Sequence, residues 1–301
     1  LTKYMPAVSV IITAYNRALF LPEAIESVLS QGYRDFELLL VDDGSTDDTL
    51  KLIQPYRDRL LLIQHGDNRG VSAARNTGIA HSSGKLICFL DSDDLWKKNK
   101  LSAQIAFLEA HPEYQICYTN EIWLRNGAWL NQKLKHQKFS GHIFERLLPL
   151  CIISPSSVML ARHILEQVGC FDESFPACED YDLWLRIGCR LPIGYLPERL
   201  IIKRGGHQDQ LSQKFVGLDK LRIRAMLKIM AEGCLSPLQQ EATKAELKRK
   251  CQIYACGCLK HHKDEEAAFF LSISKNIESL KDTTQLETWL RSDYFFDYTY
   301  K

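Results

Sequence analysis

Apolar residues recur along this chain in two alternating rhythms. Val8–Ile12, Phe36–Val41, Leu60–Ile63 and Leu86–Leu90 are compact runs of strand length, rich in branched aliphatic side chains. The segments between them carry apolar residues at helical spacing. Leu21, Ile25, Val28 and Leu29 share one face behind Pro22, which suits a first helical turn, and Gly32 stops the pattern. Thr46 is placed to cap a short helix bearing Leu50 and Ile53 before Pro55. Gly70–Ala80 reads as a helix of small residues, and Leu101, Ile105 and Leu108 mark one face of another that Pro112 ends. Strand-sized runs alternating with helical patterns predict βαβ units, hence an α/β fold with a mostly parallel sheet.

From Gln115 to Gly206 the rhythm loosens. Tyr118, Trp123 and Trp129 lie among strand and turn signals, Ser156–Leu160 reads as a strand, and Arg162–Val168 as a short helix ended by Gly169. Glu179-Asp180-Tyr181-Asp182, ahead of Leu183, Trp184 and Ile187, is an acidic helix start. Beyond Gly217 only helical patterns remain, over Leu221–Met230, Gln239–Leu259 and Glu265–Ile277. The predicted organisation is an α/β domain over residues 1–216 and an α-helical C-terminal subdomain over 217–301.

Composition narrows the class without naming a chemistry. At 301 residues, 46% hydrophobic and 25% charged, the chain has a globular make-up, which excludes a disordered or low-complexity protein. Lys plus Arg total 38 against 37 for Asp plus Glu, so no bulk charge draws it to nucleic acid. No apolar run nears the ~20 residues that cross a bilayer, and Leu1–Pro6 is too short and polar for a signal peptide. Ten cysteines scattered through apolar stretches of a long chain fit buried free thiols in a reducing compartment. These traits predict a cytoplasmic protein.

The chemistry gathers at the strand ends. In parallel α/β sheets ligands bind beyond the carboxyl ends of the strands. Each predicted end here is polar or acidic: Thr13-Ala14-Tyr15-Asn16-Arg17, Asp42-Asp43-Gly44-Ser45 and Asp91-Ser92-Asp93-Asp94. Carboxylates crowded at the mouth of a buried strand repel one another and lose hydration, so a cation is their natural partner. With no His or Cys beside them, these hard oxygens suit Mg²⁺ or Mn²⁺, held by one or two carboxylates plus substrate phosphates. Each motif alone has a plainer alternative: a solvated turn, a helix cap, an acidic helix N-terminus or, for His207, a surface histidine. Cys251, Cys256, Cys258, His261 and His262 contain no paired CxxC unit, which argues against zinc. The aromatic end from Trp289 to Tyr300 suits packing on the helices, or pairing of two chains, better than a membrane interface, because few basic residues flank it.

Taken in order, these segments resemble the family 2 glycosyltransferases, inverting nucleotide-sugar enzymes of GT-A fold, a Rossmann-like three-layer α/β/α architecture. The resemblance runs through Val8–Arg17, Leu40–Asp47, Asn68–Gly78, Ile87–Asp94, Val168–Glu173 and Glu179–Trp184, and covers about two-thirds of the chain. It implies that Thr13, Tyr15 and Arg17 belong to the nucleotide pocket, that Asp43 accepts from the base with Asp42 beside it, and that Arg75 and Asn76 lie on the donor side. Asp91 and Ser92 fall near the ribose, and Asp93 becomes the metal ligand with Asp91 close by. His207, with Gln210-Leu211-Ser212, matches a late segment that closes over the diphosphate and can reach a metal. Asp180 matches the general base, Glu179 being the lesser candidate. Cys170 stands where the family often has a glycine before Phe171-Asp172-Glu173.

The implied activity is a single displacement. A sugar passes from a nucleotide-diphosphate donor, UDP-linked by default, to a hydroxyl of a glycan or lipid-linked acceptor, as in surface polysaccharide synthesis. Such an enzyme works in the cytoplasm, with a peripheral place at the inner membrane face if its acceptor is lipid-linked, and its C-terminal region offers a homodimer contact. Direct displacement needs a base, a leaving-group stabiliser and positioning, and no protein nucleophile. Three rivals fit less well. A sugar-nucleotide nucleotidyltransferase needs a glycine-rich basic loop after the first strand, and Thr13–Leu21 has no Gly and only Arg17. A phosphohydrolase needs Thr where Leu95 stands. A non-catalytic nucleotide-sugar-binding module has no need of Asp43, Asp91, Asp93 and Asp180 together.

Overall fold

A computed structural model describes residues 5–206, 215, 217–280 and 283–297. Its strands are β1 (Val8–Ala14), β2 (Phe36–Asp42), β3 (Leu61–Gln64), β4 (Leu86–Asp91), β5 (Leu95–Trp96), β6 (Ile116–Arg125), β7 (Ala128–Leu130), β8 (Val158–Ala161) and β9 (Gly194–Gly205). Its α-helices are α1 (Leu21–Leu29), α2 (Thr49–Leu52), α3 (Val71–His81), α4 (Lys100–Ala110), α5 (Phe144–Leu147), α6 (Arg162–Val168), α7 (Glu179–Gly188), α8 (Leu218–Ala231), α9 (Pro237–Lys260), α10 (Asp264–Asn276) and α11 (Thr284–Leu290).

The strands form one sheet in the order β3-β2-β1-β4-β8-β6-β9-β5, with β7 hairpinned onto β6. As predicted, β3, β2, β1 and β4 run parallel. The other half is mixed: β8 is antiparallel to β4 and β6, whereas β9 runs parallel to β6 and antiparallel to β5. The chain divides into two compact units. The first holds the whole sheet with α1–α4 and α6. The second collects His142–Cys151, Ala177–Arg190 and the residues from Gln208 onward, so the division does not follow one cut at 216/217.

The first unit is built around β1, buried along its whole length. Because successive side chains of a strand point to opposite faces, Val8, Val10, Ile12 and Ala14 join one core cluster with Leu21, Ala24, Ile25 and Val28 of α1 and Leu101 of α4. Each large aliphatic side chain buried this way contributes roughly 1.5–3 kcal/mol. Ile11 points to the other face, where α3 packs so closely that a Cβ at Gly78 would collide with its side chain. That approach explains the small residues of α3. At the amino ends of the strands, Glu37 accepts from Ser9 Oγ at 2.6 Å, Ser83 N at 2.5 Å and Gly84 N at 3.2 Å. Burial pushes the Glu37 carboxyl up, but these hydrogen bonds outweigh it and hold the group below its ordinary value.

Two local expectations change. The helix expected behind Thr46 starts at Thr49 instead, because the Thr46 amide donates to Asn16 Oδ1 at 2.8 Å and Asp47 Oδ1 accepts from Thr49 N at 3.0 Å. The strand expected from Ser156 begins at Val158, since Pro155–Ser157 form a 3₁₀ turn.

In the second unit, α9 opens with a reciprocal capping box between Ser236 and Gln239 behind Pro237. Ion pairs tie its helices: Asp182, which also pairs with Arg186 at 2.8 Å within α7, reaches Lys228 of α8 at 3.1 Å, and Asp219 of α8 reaches Lys250 of α9 at 2.8 Å. Phe269, Phe270 and Phe295 pack edge to face, and Trp289 is buried within the unit. Tyr298 and Tyr300 lie outside the described residues. All ten cysteines are free; contrary to expectation, Cys170 and Cys256 are exposed. Among the described residues no helix is long and apolar enough to cross a membrane.

Candidate active site

The register of the parallel strands brings three of the predicted segments to one level. Ala14 pairs with Asp42, and Thr13 pairs with both Val41 and Asp91, so the carboxyl ends of β1, β2 and β4 finish side by side. Beyond β1 the chain turns through Asn16 at φ 53°, a left-handed conformation that asparagine tolerates. Asn16 N donates to Ser45 Oγ at 2.9 Å, its Oδ1 accepts from Thr46 N, and Arg17 N donates to Thr49 Oγ1 at 2.8 Å. The two loops after β1 and β2 are thereby locked together. Tyr15 stands on this base with 38% of its surface open, leaving its ring free to stack on a planar group. Asn16 was quoted in the sequence as part of a motif and given no role; its left-handed backbone is what makes it the clamp.

The two adjacent aspartates are both buried yet differ in what they can do. Asp43 Oδ1 accepts from Arg69 N at 3.0 Å and lies 2.6 Å from His65 Nδ1, while Oδ2 accepts from Gly70 N at 2.8 Å. A carboxylate can only accept, so His65 carries its proton on Nδ1 and, when neutral, presents Nε2 to the Thr77 hydroxyl at 2.9 Å. Asp43 therefore fixes the loop leading into α3. Asp42 is less engaged: Oδ2 accepts from Ser45 N at 3.2 Å, but Oδ1 is buried with no partner among the described residues. Such an atom costs on the order of 1–3 kcal/mol unless something binds it.

The acidic turn after β4 is held largely by the protein's own cations. Arg75, buried on α3, donates to Asp91 Oδ1 at 2.7 Å, its guanidinium 5.1 Å from the Phe171 ring centre. Asp91 keeps 28% of its side chain exposed, Asp93 is half-buried, and Ser92 is buried. Asp94 points inward and accepts from Ser156 Oγ at 2.7 Å and Arg204 N at 3.1 Å. Burial, then the charge of Asp93, push its carboxyl well above the ordinary range against the opposing charge of Lys203. Arg204 also donates from Nε to the Asp93 carbonyl and pairs with Glu23, while its Nη2 is buried without a partner among the described residues. The importance of Arg204 was missed in the sequence; a basic pair, Lys203-Arg204, closing a strand before two glycines was the signal. Asn76 is spent on structure: its amide donates to the Phe171 carbonyl and Glu173 Oε1, both at 2.9 Å, and accepts from Phe171 N at 3.0 Å.

In the second unit, α7 begins after Cys178 at φ 60°. Asp180 is half-buried; its Oδ1 accepts from Tyr181 N at 2.7 Å and its Oδ2 from the Cys151 thiol at 3.3 Å. Glu179 is buried, and Asp182 is consumed by Arg186 and Lys228. Of the three acidic groups, Asp180 is the one with open surface. His207 and Gln210-Leu211-Ser212 lie outside the described residues. Among the described residues no three His, Cys, Asp or Glu side chains converge on one point. Two carboxylates completed by substrate phosphates is the arrangement magnesium commonly takes, and the hard oxygens of Asp91 and Asp93 fit it.

The chain is similar to several known proteins. The chain is 35% identical over 189 residues, 61% of its length and 70% of the relative's, to WfaP of Escherichia coli, a UDP-Glc:alpha-D-GlcNAc-diphosphoundecaprenol beta-1,3-glucosyltransferase. It is 38% identical over 194 residues to an uncharacterized glycosyltransferase of Rickettsia felis, a match covering 64% of this chain and 32% of that protein. This chain thus spans about a third of that relative. The crystal structure of S. aureus TarS 1-349 in complex with UDP-GlcNAc superposes with a TM-score of 0.62 at 19% identity, covering 90% of this chain and 91% of that one. A mannosyltransferase from Pyrobaculum calidifontis, in complex with GDP-Man and Mn2+, superposes at 0.55 and 18% identity, covering 97% and 86%. These likenesses show the GT-A fold. The sequence model named glycosyl transferase family 2 matches residues 9–169, more than half the chain, and the chain belongs to that family.

Proposed function

We propose that this chain is an inverting glycosyltransferase that moves a sugar from a UDP-linked donor to a hydroxyl of a lipid-linked acceptor. The observation that carries the reading is that Thr13-Ala14, Asp42 and Asp91 end three neighbouring strands side by side, Thr13 level with Asp91 and Ala14 with Asp42, with one buried Asp42 oxygen left open. The acceptor class rests on the relatives WfaP and WfgD of Escherichia coli, both 35% identical and both named as glucosyltransferases acting on diphosphoundecaprenol-linked GlcNAc.

In this reading Tyr15 stacks on the base, Asp42 receives its N–H or a ribose hydroxyl while Asp43 holds the loop beside it, and Thr13 and Arg17 complete the pocket. Asp91 and Asp93 hold Mg²⁺ or Mn²⁺, which when bound offsets the charge of the departing diphosphate. Asp180 takes the acceptor proton as that oxygen attacks the anomeric carbon, and the bond electrons leave with the nucleoside diphosphate. Arg75 holds Asp91 in place through its hydrogen bond to Oδ1.

A thermal-shift screen with UDP, GDP and dTDP, with and without Mn²⁺, tests the donor side. UDP should raise Tm, and more so with the metal; no stabilisation by any nucleotide would sink the reading. Asp180→Asn should abolish transfer while leaving UDP binding intact. Retained turnover would move the base elsewhere.

A further inference from the structure

The hairpin of β6 and β7 differs from the rest of the first unit in what it exposes. Trp129, Leu130 and Leu134 keep 55%, 42% and 91% of their surface open. The register pairs Trp123 with Leu130 and Leu124 with Trp129, so Leu130 and Trp129 stand on opposite faces of a thin two-stranded tip. Neither face gives the tip a core of its own. Around it positive charge predominates. No Asp or Glu occurs between Glu121 and Glu145, and Glu121 is itself buried against Lys138. Arg125, Lys133 and Lys135 are exposed and form no ion pair among the described residues. On the adjoining strand, Arg199 lies over the Trp129 ring at 5.6 Å. The exposed carboxylate beside it, Glu198, lies within 3.5 Å of the Asn99 amide. In a chain whose net charge is +1, this is a local basic excess wrapped around a projecting apolar wedge.

We propose that this hairpin docks on an anionic bilayer surface. Trp129, Leu130 and Leu134 enter the interfacial layer, where an indole has its apolar body in the acyl boundary and its N–H in water. Arg125, Lys133 and Lys135 meet the lipid phosphates. Of the C-terminal aromatics, Trp289 and Phe295 are buried within the helical unit. The inference does not rest on the transferase reading: it concerns a surface apart from the strand ends.

Sedimentation of the full chain with phosphatidylglycerol-containing vesicles, against pure phosphatidylcholine, tests it. Binding should require the anionic lipid and weaken with salt. Each cation near such a surface contributes roughly a fivefold factor, so the double change Lys133→Glu, Lys135→Glu should weaken binding at least tenfold. Trp129→Ser should do likewise, and brominated acyl chains should quench wild-type fluorescence more than that of Trp129→Phe. All three substituted residues are exposed, so Tm and UDP binding should be unchanged, which separates this result from any failure of the donor site. Equal binding to both vesicle types, or variants that bind like wild type, would overturn the proposal. So would self-association lost with Trp129→Ser, which would assign the tip to a second copy of the chain.

Discussion

Replacing Glu121 by Gln removes one charge from the centre of the sheet and keeps its shape. Glu121 sits on β6, buried, 3.5 Å from Lys138 Nζ; it accepts from Trp123 Nε1 at 2.7 Å and from the Ser154 hydroxyl. Burial alone would push its carboxyl up. The cations of Lys138 and Lys203, with the two hydrogen bonds, outweigh burial and bring it down from 4.5 to about 2. The gap of about 2.5 pH units, at 1.36 kcal/mol each, corresponds to about 3 kcal/mol of stability at neutral pH. Because the folded value is depressed, this contribution is complete above the unfolded value of 4.5 and is lost as pH falls toward 2. At pH 3 roughly 1 kcal/mol should remain. Denaturant titration of wild type and Glu121→Gln at pH 7 and pH 3 measures both figures. Near neutral pH the variant's Tm should fall by roughly 6–12 °C. A penalty under ~1 kcal/mol at pH 7, or one equally large at pH 3, would show that the pair is not the electrostatic anchor described here.

Other consequences separate binding groups from structural ones. Asp42→Asn should weaken UDP binding at least tenfold in calorimetry with little change in Tm, whereas Asp43→Ala, stripped of three donors, should cost about 3 kcal/mol in stability. Gly78→Ala should destabilise by about 1–3 kcal/mol through collision with Ile11, measured by denaturant titration. Cys189 and Cys234 place their sulfurs 3.7 Å apart. An added mild oxidant, taking up the two electrons, should therefore join them, seen as the mass loss of two hydrogen atoms and a cross-linked peptide, and alkylation of either residue should prevent it.

The parallel half of the sheet was legible because each of its strands is a compact, mostly apolar run, and β1, β2 and β4 were predicted to within two residues. The acidic strand ends were legible for the same reason: polar residues stop a buried run abruptly. What was not legible is how much of that acidity the protein neutralises itself. Arg75 reaches Asp91 from a helix sixteen positions away, and Arg204 reaches Asp94 from 110 positions away. Periodicity carries no information on such pairings. Nor does it distinguish Asp42 from Asp43, neighbours whose engagement is decided by His65 and the amides before α3. The membership of α7 in the helical unit was hidden too, since Asp182 looked like a helix-start carboxylate and is a buried partner of Lys228. The apolar pattern began this helix at Gln239, whereas the capping box between Ser236 and Gln239, not read from the sequence, starts α9 at Pro237.

The placement of β9 has a consequence for how the molecule is made. This strand lies between β6 and β5, covering the edge of each, and it carries the Arg204 that grips the acidic turn. During synthesis, β1 to β4 can pair as soon as they leave the ribosome, since their contacts are short in sequence. The Asp91–Asp94 turn must wait until residue 204 has emerged. Until then two sheet edges are bare, a template for pairing with other nascent chains. A fragment ending at residue 169, the limit of the family match, would carry those bare edges permanently. It should aggregate even though it contains every predicted donor-side residue except His207.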